Sequence, residues 1–213
     1  MVGNVLSDAK DRSETREGLF SGNNPFQLVT KWLDEAWKTE PTDANAVALA
    51  TADSSGLPNV RMVLLKEVED GGFVFYTNSE SAKGGELAGN AQAAFVMHWK
   101  SLGRQVRVRG EVEPVSPEQS DTYFNSRHPQ SRAGAIASQQ SRPLEGRELL
   151  VEATAKIRAD HNDAPPRPAH WHGYRIKPVE IEFWADGEHR LHDRFRWSRE
   201  TPEGDWTIMR LHP

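Results

Sequence analysis

The residues best equipped for chemistry stand in EFWADGEHRLHDRFRW, Glu182–Trp197. Its centre, R-L-H-D-R, sets Arg190, His192 and Arg194 at every second position. On a β-strand successive side chains alternate faces, so these three would point one way, with Asp193 opposite. Such a row needs an anion facing it, or water. Arginine is costly to bury unpaired, and the flanking Trp184, Phe195 and Trp197 argue against a wholly exposed strand.

Other segments repeat the theme. SPEQSDTYFNSRHPQSR carries Tyr123 and Arg127 four apart, which on a helix puts them on one face. His128-Pro129 should end that helix, with Ser131 just beyond. Hydroxyl, guanidinium and hydroxyl would make a phosphate clamp; an ordinary surface helix end is the alternative. R-M-V-L-L-K places Arg61 and Lys66 at the ends of an apolar strand, with opposite parity. One ligand could reach both only at a strand end or bulge, or two ligands could bind on two sides. In R-Q-V-R-V-R-G, Gln105, Arg107 and Arg109 share a face. A solvated strand face explains the arginines, while the Gln105 amide can both donate and accept.

Several chemistries are excluded or disfavoured. With no cysteine, disulfides, thiolate metal sites and cysteine nucleophiles are absent. His161, His170 and His172 match no common metal spacing, so no metal is expected. Neither G-x-S-x-G, G-x-G-x-x-G nor a P-loop occurs. The net charge of −5 favours neither nucleic acid nor an anionic membrane surface. No apolar run approaches the roughly 20 residues of a membrane span. The N-terminus lacks a hydrophobic signal core, and the expected setting is the cytoplasm.

The elements that must position these groups alternate short strands with turns. NNPFQLVTKWLDEAWKTE should be a helix with Asn24 as N-cap, apolar positions at Phe26, Val29, Leu33 and Trp37, and Pro41 ending it. AVALATAD, PNVRMVLLKE, FVFYTN, AAFVMHWK, RQVRVRGEVEPV, YRIKPVEIEFW, HRLHDRFRWSR and DWTIMRL read as strands. SESAKGGELAGN is a short helix or loop, and RPLEGRELLVEATAKIRAD a further helix. The sum is an α+β fold, an antiparallel barrel with helices around it. The 213 residues suit one domain spanning 21–213, with a helical insertion at about 116–168 and a polar, flexible arm over 1–20.

These segments together resemble the pyridoxine/pyridoxamine 5′-phosphate oxidases. The resemblance is carried, in family order, by NPFQLVTKWLDEA, RMVLLK, FVFYTN, RQVRVRGEVE, YFNSRHPQSRAGAIASQQS, HWHGYR, IEFW, RLHDR and the closing RLHP. It implies a split β-barrel, a homodimer, and FMN in a groove between subunits. It further implies that FMN is contacted by Arg61, Met62, Val63, Leu64, Leu65, Lys66, Tyr76, Thr77, Lys83, Gln105, Gln140, Ser141, Trp184 and Arg194. Arg61 and Lys83 would hold the flavin phosphate, and Gln105 would face the polar edge of the isoalloxazine. Lys66, Tyr123, Arg127 and Ser131 would take the substrate phosphate. Arg190, Leu191 and His192 would hold the pyridine ring, Arg190 and His192 as the catalytic pair. Asp43 also matches a position near the family's active site.

The implied reaction oxidises pyridoxamine or pyridoxine 5′-phosphate to pyridoxal 5′-phosphate and reduces O2 to hydrogen peroxide. Rival readings are another split-barrel flavin reductase or oxidoreductase, and a protein that only binds pyridoxal phosphate. There are departures from the family pattern. Ala82 stands where arginine is common, which removes one charge-assisted bond worth about 1–3 kcal/mol. Gly103 replaces a frequent charged residue, W-A-D-G replaces W-Q-G, and His172 replaces a frequent glycine.

Overall fold

The computed structural model describes residues 18–213. The expected flexible arm, residues 1–20, thus lies almost wholly outside the described residues. The first helix among the described residues, α1 (Pro25–Ala36), starts as the sequence dictates. Asn24 Oδ1 accepts from the Phe26 and Gln27 amides at 2.9 and 3.2 Å, and Pro25 occupies a first-turn position that needs no amide. Its buried face is Phe26, Leu28, Val29, Trp32 and Ala36. Trp37, expected on that face, caps the helix and is 50% exposed. The helix stops short of Pro41 in a turn closed by Thr39 and Glu40 amides bonding to Ala36.

The strands are β1 (Ala46–Ala52), β2 (Pro58–Glu69), β3 (Gly72–Asn78), β4 (Gln92–Trp99), β5 (Arg104–Pro114), β6 (Trp171–Ala185), β7 (Asp193–Ser198) and β8 (Thr207–Leu211). Every pairing is antiparallel, in the order β3-β2-β1-β4-β5-β6-β7-β8. A further β3–β6 pairing closes β3, β2, β1, β4, β5 and β6 into a barrel, and β7 and β8 extend outward from β6. Closure removes free strand edges for most of the circuit. Trp32, Phe73, Phe75, Phe95, Met97, Val106, Ile181 and Phe183 fill the core, with edge-to-face contacts such as Trp32–Phe183 at 5.1 Å.

Among the described residues, four more helices surround the barrel: α2 (Ala82–Gly89), α3 (Pro117–Ser126), α4 (Pro129–Ala137) and α5 (Arg147–Asp160). Of these, α4 departs from the sequence expectation. Pro129 not only follows the end of α3 but opens a new helix, with His128 Nδ1 accepting from the Gln130 amide at 3.2 Å.

The strand expected through R-L-H-D-R is a correction. β6 stops at Ala185, Glu188–Arg190 form a single 3-10 turn, and β7 begins only at Asp193. His189 and Arg190 adopt positive φ of 54° and 65°, which no strand permits. The cause is the reversal from β6 to β7, where the Leu191 amide bonds to Glu188 O at 3.0 Å. Arg190 and His192 therefore sit on a turn, and only Arg194 sits on a strand.

Candidate functional site

The barrel opens where β2 peels away from β3. β2 pairs with β1 from Pro58 to Leu64, but its pairing with β3 begins only at Leu65↔Phe75. The register then slips, so that Glu67 faces Val74 and Lys66 is the extra residue of a bulge. At this split lies a cavity of about 790 Å³, lined from β2, β3, α2, α3, α4, α5 and the start of β6. The open edge lets both faces of β2 contribute: Arg61, Met62, Val63, Leu64 and Lys66 all line it. This answers the parity problem, for Arg61 and Lys66 reach one cavity.

Four cations gather here. Arg61 is held at its rim by Glu86 at 3.0 Å and by Leu49 O at 3.2 Å, and also donates to Thr51 Oγ1. Glu86 further accepts from Thr51 Oγ1 and from Asn59 Nδ2, the latter at 2.8 Å. Burial pushes the Glu86 carboxyl up, but these bonds and the charge of Arg61 outweigh it and hold it below the ordinary range. Lys83 is buried and donates to Gln140 Oε1 at 2.6 Å and to Ser81 Oγ at 3.2 Å. Burial, and then the charge of Arg61, pull its ammonium below the ordinary lysine value. Arg127 lies over the Trp171 ring at 5.0 Å, with Nη1 buried and unpartnered. Lys66 stands 5.9 Å above the Tyr123 ring. Among the described residues, Lys66, Lys83 and Arg127 form no ion pair.

One wall is aromatic. Tyr76 stacks on Tyr123 at 4.0 Å with an 18° tilt, and on Trp171 at 5.3 Å and 11°. Flat rings beside desolvated cations suit a planar aromatic ligand carrying phosphate.

Gly84 sets how closely α2, the carrier of Lys83, approaches the turn that follows β3. A Cβ there would sit 2.1 Å from Ser79 O, a backbone atom that cannot swing away. Gly84→Ala should therefore lower unfolding free energy by about 1–3 kcal/mol in urea titration; an unchanged midpoint would refute this account of the contact.

The expected site residues divide into two clusters. Arg61, Met62, Val63, Leu64, Lys66, Tyr76, Thr77, Lys83, Tyr123, Arg127, Ser131 and Gln140 line the cavity. Ser141 borders it, its Oγ accepting from the Ala82 amide at 3.2 Å. Leu65 does not line it, being 3% exposed and part of the core. Gln105, Trp184 and Arg194 lie outside the cavity, in register across β5, β6 and β7. His192 joins them, 4.6 Å from the Trp184 ring, with its Nδ1 3.1 Å from both the Gly187 amide and Asp186 Oδ1. Arg190 and the 68% exposed Leu191 lie on the adjoining turn. Asp43 stands apart from the cavity, at φ 45°. No group of His, Asp and Glu able to hold a metal occurs among the described residues.

Sequence reasoning overlooked Glu86, Glu67 and Trp171. Trp171 lay within the quoted HWHGYR segment, and Glu86 follows Lys83 at helical spacing, which was a usable signal.

Comparison with known proteins bears on this geometry. The family profile described as pyridoxamine 5′-phosphate oxidase matches residues 33–185. A second, described as the pyridoxine 5′-phosphate oxidase C-terminal dimerisation region, matches 171–213. A pyridoxine/pyridoxamine 5′-phosphate oxidase of Ruegeria sp. (strain TM1040) is 59% identical over 198 residues, covering 93% of this chain and 98% of that one. Its counterpart from Agrobacterium fabrum is 58% identical over 192 residues, covering 90% and 93%. Among solved structures, PhzG from Burkholderia lata 383, in complex with tetrahydrophenazine-1-carboxylic acid, superposes with TM-score 0.85 at 34% identity, covering 91% and 95%. A pyridoxamine 5′-phosphate oxidase-related, FMN binding protein of Nostoc punctiforme shares the fold, with TM-score 0.73 at 13% identity, covering 91% and 100%. Profile, near-complete sequence matches and barrel all agree: the chain belongs to the pyridoxine/pyridoxamine 5′-phosphate oxidase family.

Proposed function

We propose that this chain oxidises pyridoxamine or pyridoxine 5′-phosphate to pyridoxal 5′-phosphate, with FMN as cofactor and O2 as final acceptor. The observation that carries the reading is the cavity at the split, where the desolvated Lys83 and Arg127, which form no ion pair among the described residues, stand beside an aromatic wall. A neutral or cationic ligand would leave Lys83 and Arg127 uncompensated. Two phosphates, one from the flavin and one from the substrate, would use four cations. Relatives over half identical carry this activity in their names.

Arg61 and Lys83 would hold the flavin phosphate, with Thr77, Gln140 and Ser141 beside it. Lys66, Tyr123, Arg127 and Ser131 would hold the substrate phosphate, a remote handle that fixes the reacting carbon. The chemistry a bound FMN supplies is a two-electron acceptor that O2 reoxidises to give hydrogen peroxide. The row of Gln105, Trp184 and Arg194, with Arg190, Leu191 and His192, would complete the site from a second copy of the chain. All of that cluster but Gln105 lies within the dimerisation match, and β2 carries an exposed apolar ridge of Val60, Met62 and Leu64 suited to such a contact. The proposal includes a cytoplasmic setting; among the described residues, no helix is long and apolar enough to cross a membrane.

The test is direct. Purified protein should be yellow, and pyridoxamine 5′-phosphate should drive oxygen uptake with peroxide and aldehyde formation. Protein that takes up no FMN, or turns over only with NAD(P)H, would overturn the reading. Arg190→Ala should cut turnover by about 10²-fold, as expected for loss of a charged contact to the reacting group, with flavin content unchanged. Equal loss of flavin would show that Arg190 serves the cofactor instead.

A further inference from the structure

We propose that Glu67, which does not line the cavity, is a positioning residue that locks the substrate-phosphate socket by tying together the segments bearing Lys66, Tyr76 and Tyr123. This rests on the reading of Lys66, Tyr123, Arg127 and Ser131 as ligands of that phosphate.

Glu67 directly follows Lys66 at the β2 bulge. Its Oε1 accepts from the Tyr76 hydroxyl on β3 at 2.6 Å. Its Oε2 accepts from Gln119 Nε2 on α3, also at 2.6 Å. Gln119 lies one turn before Tyr123 on the same helix face. A single carboxylate thus pins the three elements from which the socket is built.

Tyr76 transmits this constraint. Its ring is stacked 4.0 Å from Tyr123 on one side. It also packs against Gly173, where a Cβ would come within 2.6 Å of Tyr76 Cε1. With ring and hydroxyl both fixed, Tyr76 leaves Tyr123 little freedom. Burial, then the bond to Glu67, push the Tyr76 phenol well above its usual range, so it stays a neutral donor.

The pin is itself anchored. Gln119 Nε2 also donates to Glu69 Oε1 at 2.7 Å, and Arg175 pairs with Glu69 at 2.7 Å and with Glu113 at 3.1 Å. Burial raises the Glu69 carboxyl, but Arg175 and Gln119 more than offset this and keep it ionised. Arg175 thereby compensates the second carboxylate beside Glu67. Both Glu67 oxygens accept from donors, Oε1 from Tyr76 and Oε2 from Gln119, so the side chain is held at both oxygens.

The experiment uses the holoenzyme and three variants, Glu67→Ala, Glu67→Gln and Tyr76→Phe. Glu67→Ala should raise KM for pyridoxamine 5′-phosphate about tenfold, the scale of one charged hydrogen bond, with kcat and flavin content little changed. The inhibition constant of inorganic phosphate should rise in parallel. Glu67→Gln keeps an oxygen for the Tyr76 hydroxyl and should fall nearer wild type; Tyr76→Phe should likewise raise KM, with its flavin content scored separately because Tyr76 itself lines the cavity. In ultraviolet titration, the Glu67→Ala phenol should ionise at lower pH than in wild type. An unchanged KM would overturn the proposal. So would a joint fall of kcat, flavin content and thermal midpoint without rescue by glutamine. Wild-type enzyme inactive on pyridoxamine 5′-phosphate would sink the functional reading itself, a result distinct from a variant-specific failure.

Discussion

Lys83→Met should fold normally yet lose its hold on FMN, with affinity falling about 10²–10³-fold. Removing one partner of a buried charge pair costs about 3–5 kcal/mol, because the other charge is left uncompensated. Here that other charge would be the flavin phosphate. Without ligand the balance reverses. Lys83 is buried against Arg61, and among the described residues its hydrogen bonds go to neutral acceptors, Gln140 and Ser81, with the charge of Glu86 offsetting burial and Arg61 only in part. Deleting its charge should leave the apoprotein as stable as wild type, or more so. The two readouts, flavin fluorescence titration and apoprotein melting, should therefore move in opposite directions. A parallel loss would mean that Lys83 is structural.

The same residue sets an alkaline limit. Its ammonium loses its proton below the ordinary lysine value of 10.5. The charged form is what a phosphate would select. FMN affinity should therefore be full at neutral pH and weaken as pH rises through the lowered Lys83 value, before free lysine would respond. In Lys83→Met that alkaline limb should vanish.

Arg127→Met is the second large effect. It should lower kcat/KM for the phosphorylated substrate by about 10²–10³-fold, the cost of leaving a bound phosphate unpaired in a desolvated site. Flavin content should stay constant. Arg127 has a buried Nη1 with no partner and rests on Trp171 and Phe124 at 5.0 and 5.8 Å. Methionine keeps that packing and removes the unpaired charge, so the variant should melt no lower than wild type. A fall in flavin content equal to the fall in activity would reassign Arg127 to the cofactor phosphate.

Much of the barrel was legible because its strands are short, alternate cleanly and are separated by turn residues. Val106 and Val108 point inward while Gln105, Arg107 and Arg109 point outward, as period two requires. The start of α1 was equally plain, since Asn24-Pro25 is a local signal needing no tertiary context. The departures have a common origin. R-L-H-D-R has strand-like spacing, yet the reversal after Ala185 imposes positive φ that no periodicity reveals. In α4, Pro129 both ends one helix and begins another, and a sequence pattern shows only the ending.

The site was less legible than the fold. The parity of Arg61 and Lys66 allowed one ligand at a strand end or bulge or two ligands on two sides, and only the open edge of β2 and the slip at Lys66 show that both line one cavity. Glu86 was signalled by its spacing from Lys83, but its partner Arg61 is on another element, and the Glu67–Tyr76 bond crosses from β2 to β3, which no local spacing reveals. The separation of the cavity from the row of Gln105, Trp184 and Arg194 is a matter of barrel geometry, invisible in any linear pattern.

The slip at Lys66 also limits how this protein can change. Upstream and downstream stretches of β2 run out of phase by one residue, and each is locked to a different neighbour. Removing any one residue between them would cancel the offset and carry the lysine away from the opening, whatever residue was lost. Descendants of this chain should therefore diversify the opening by exchanging side chains while conserving the strand's length.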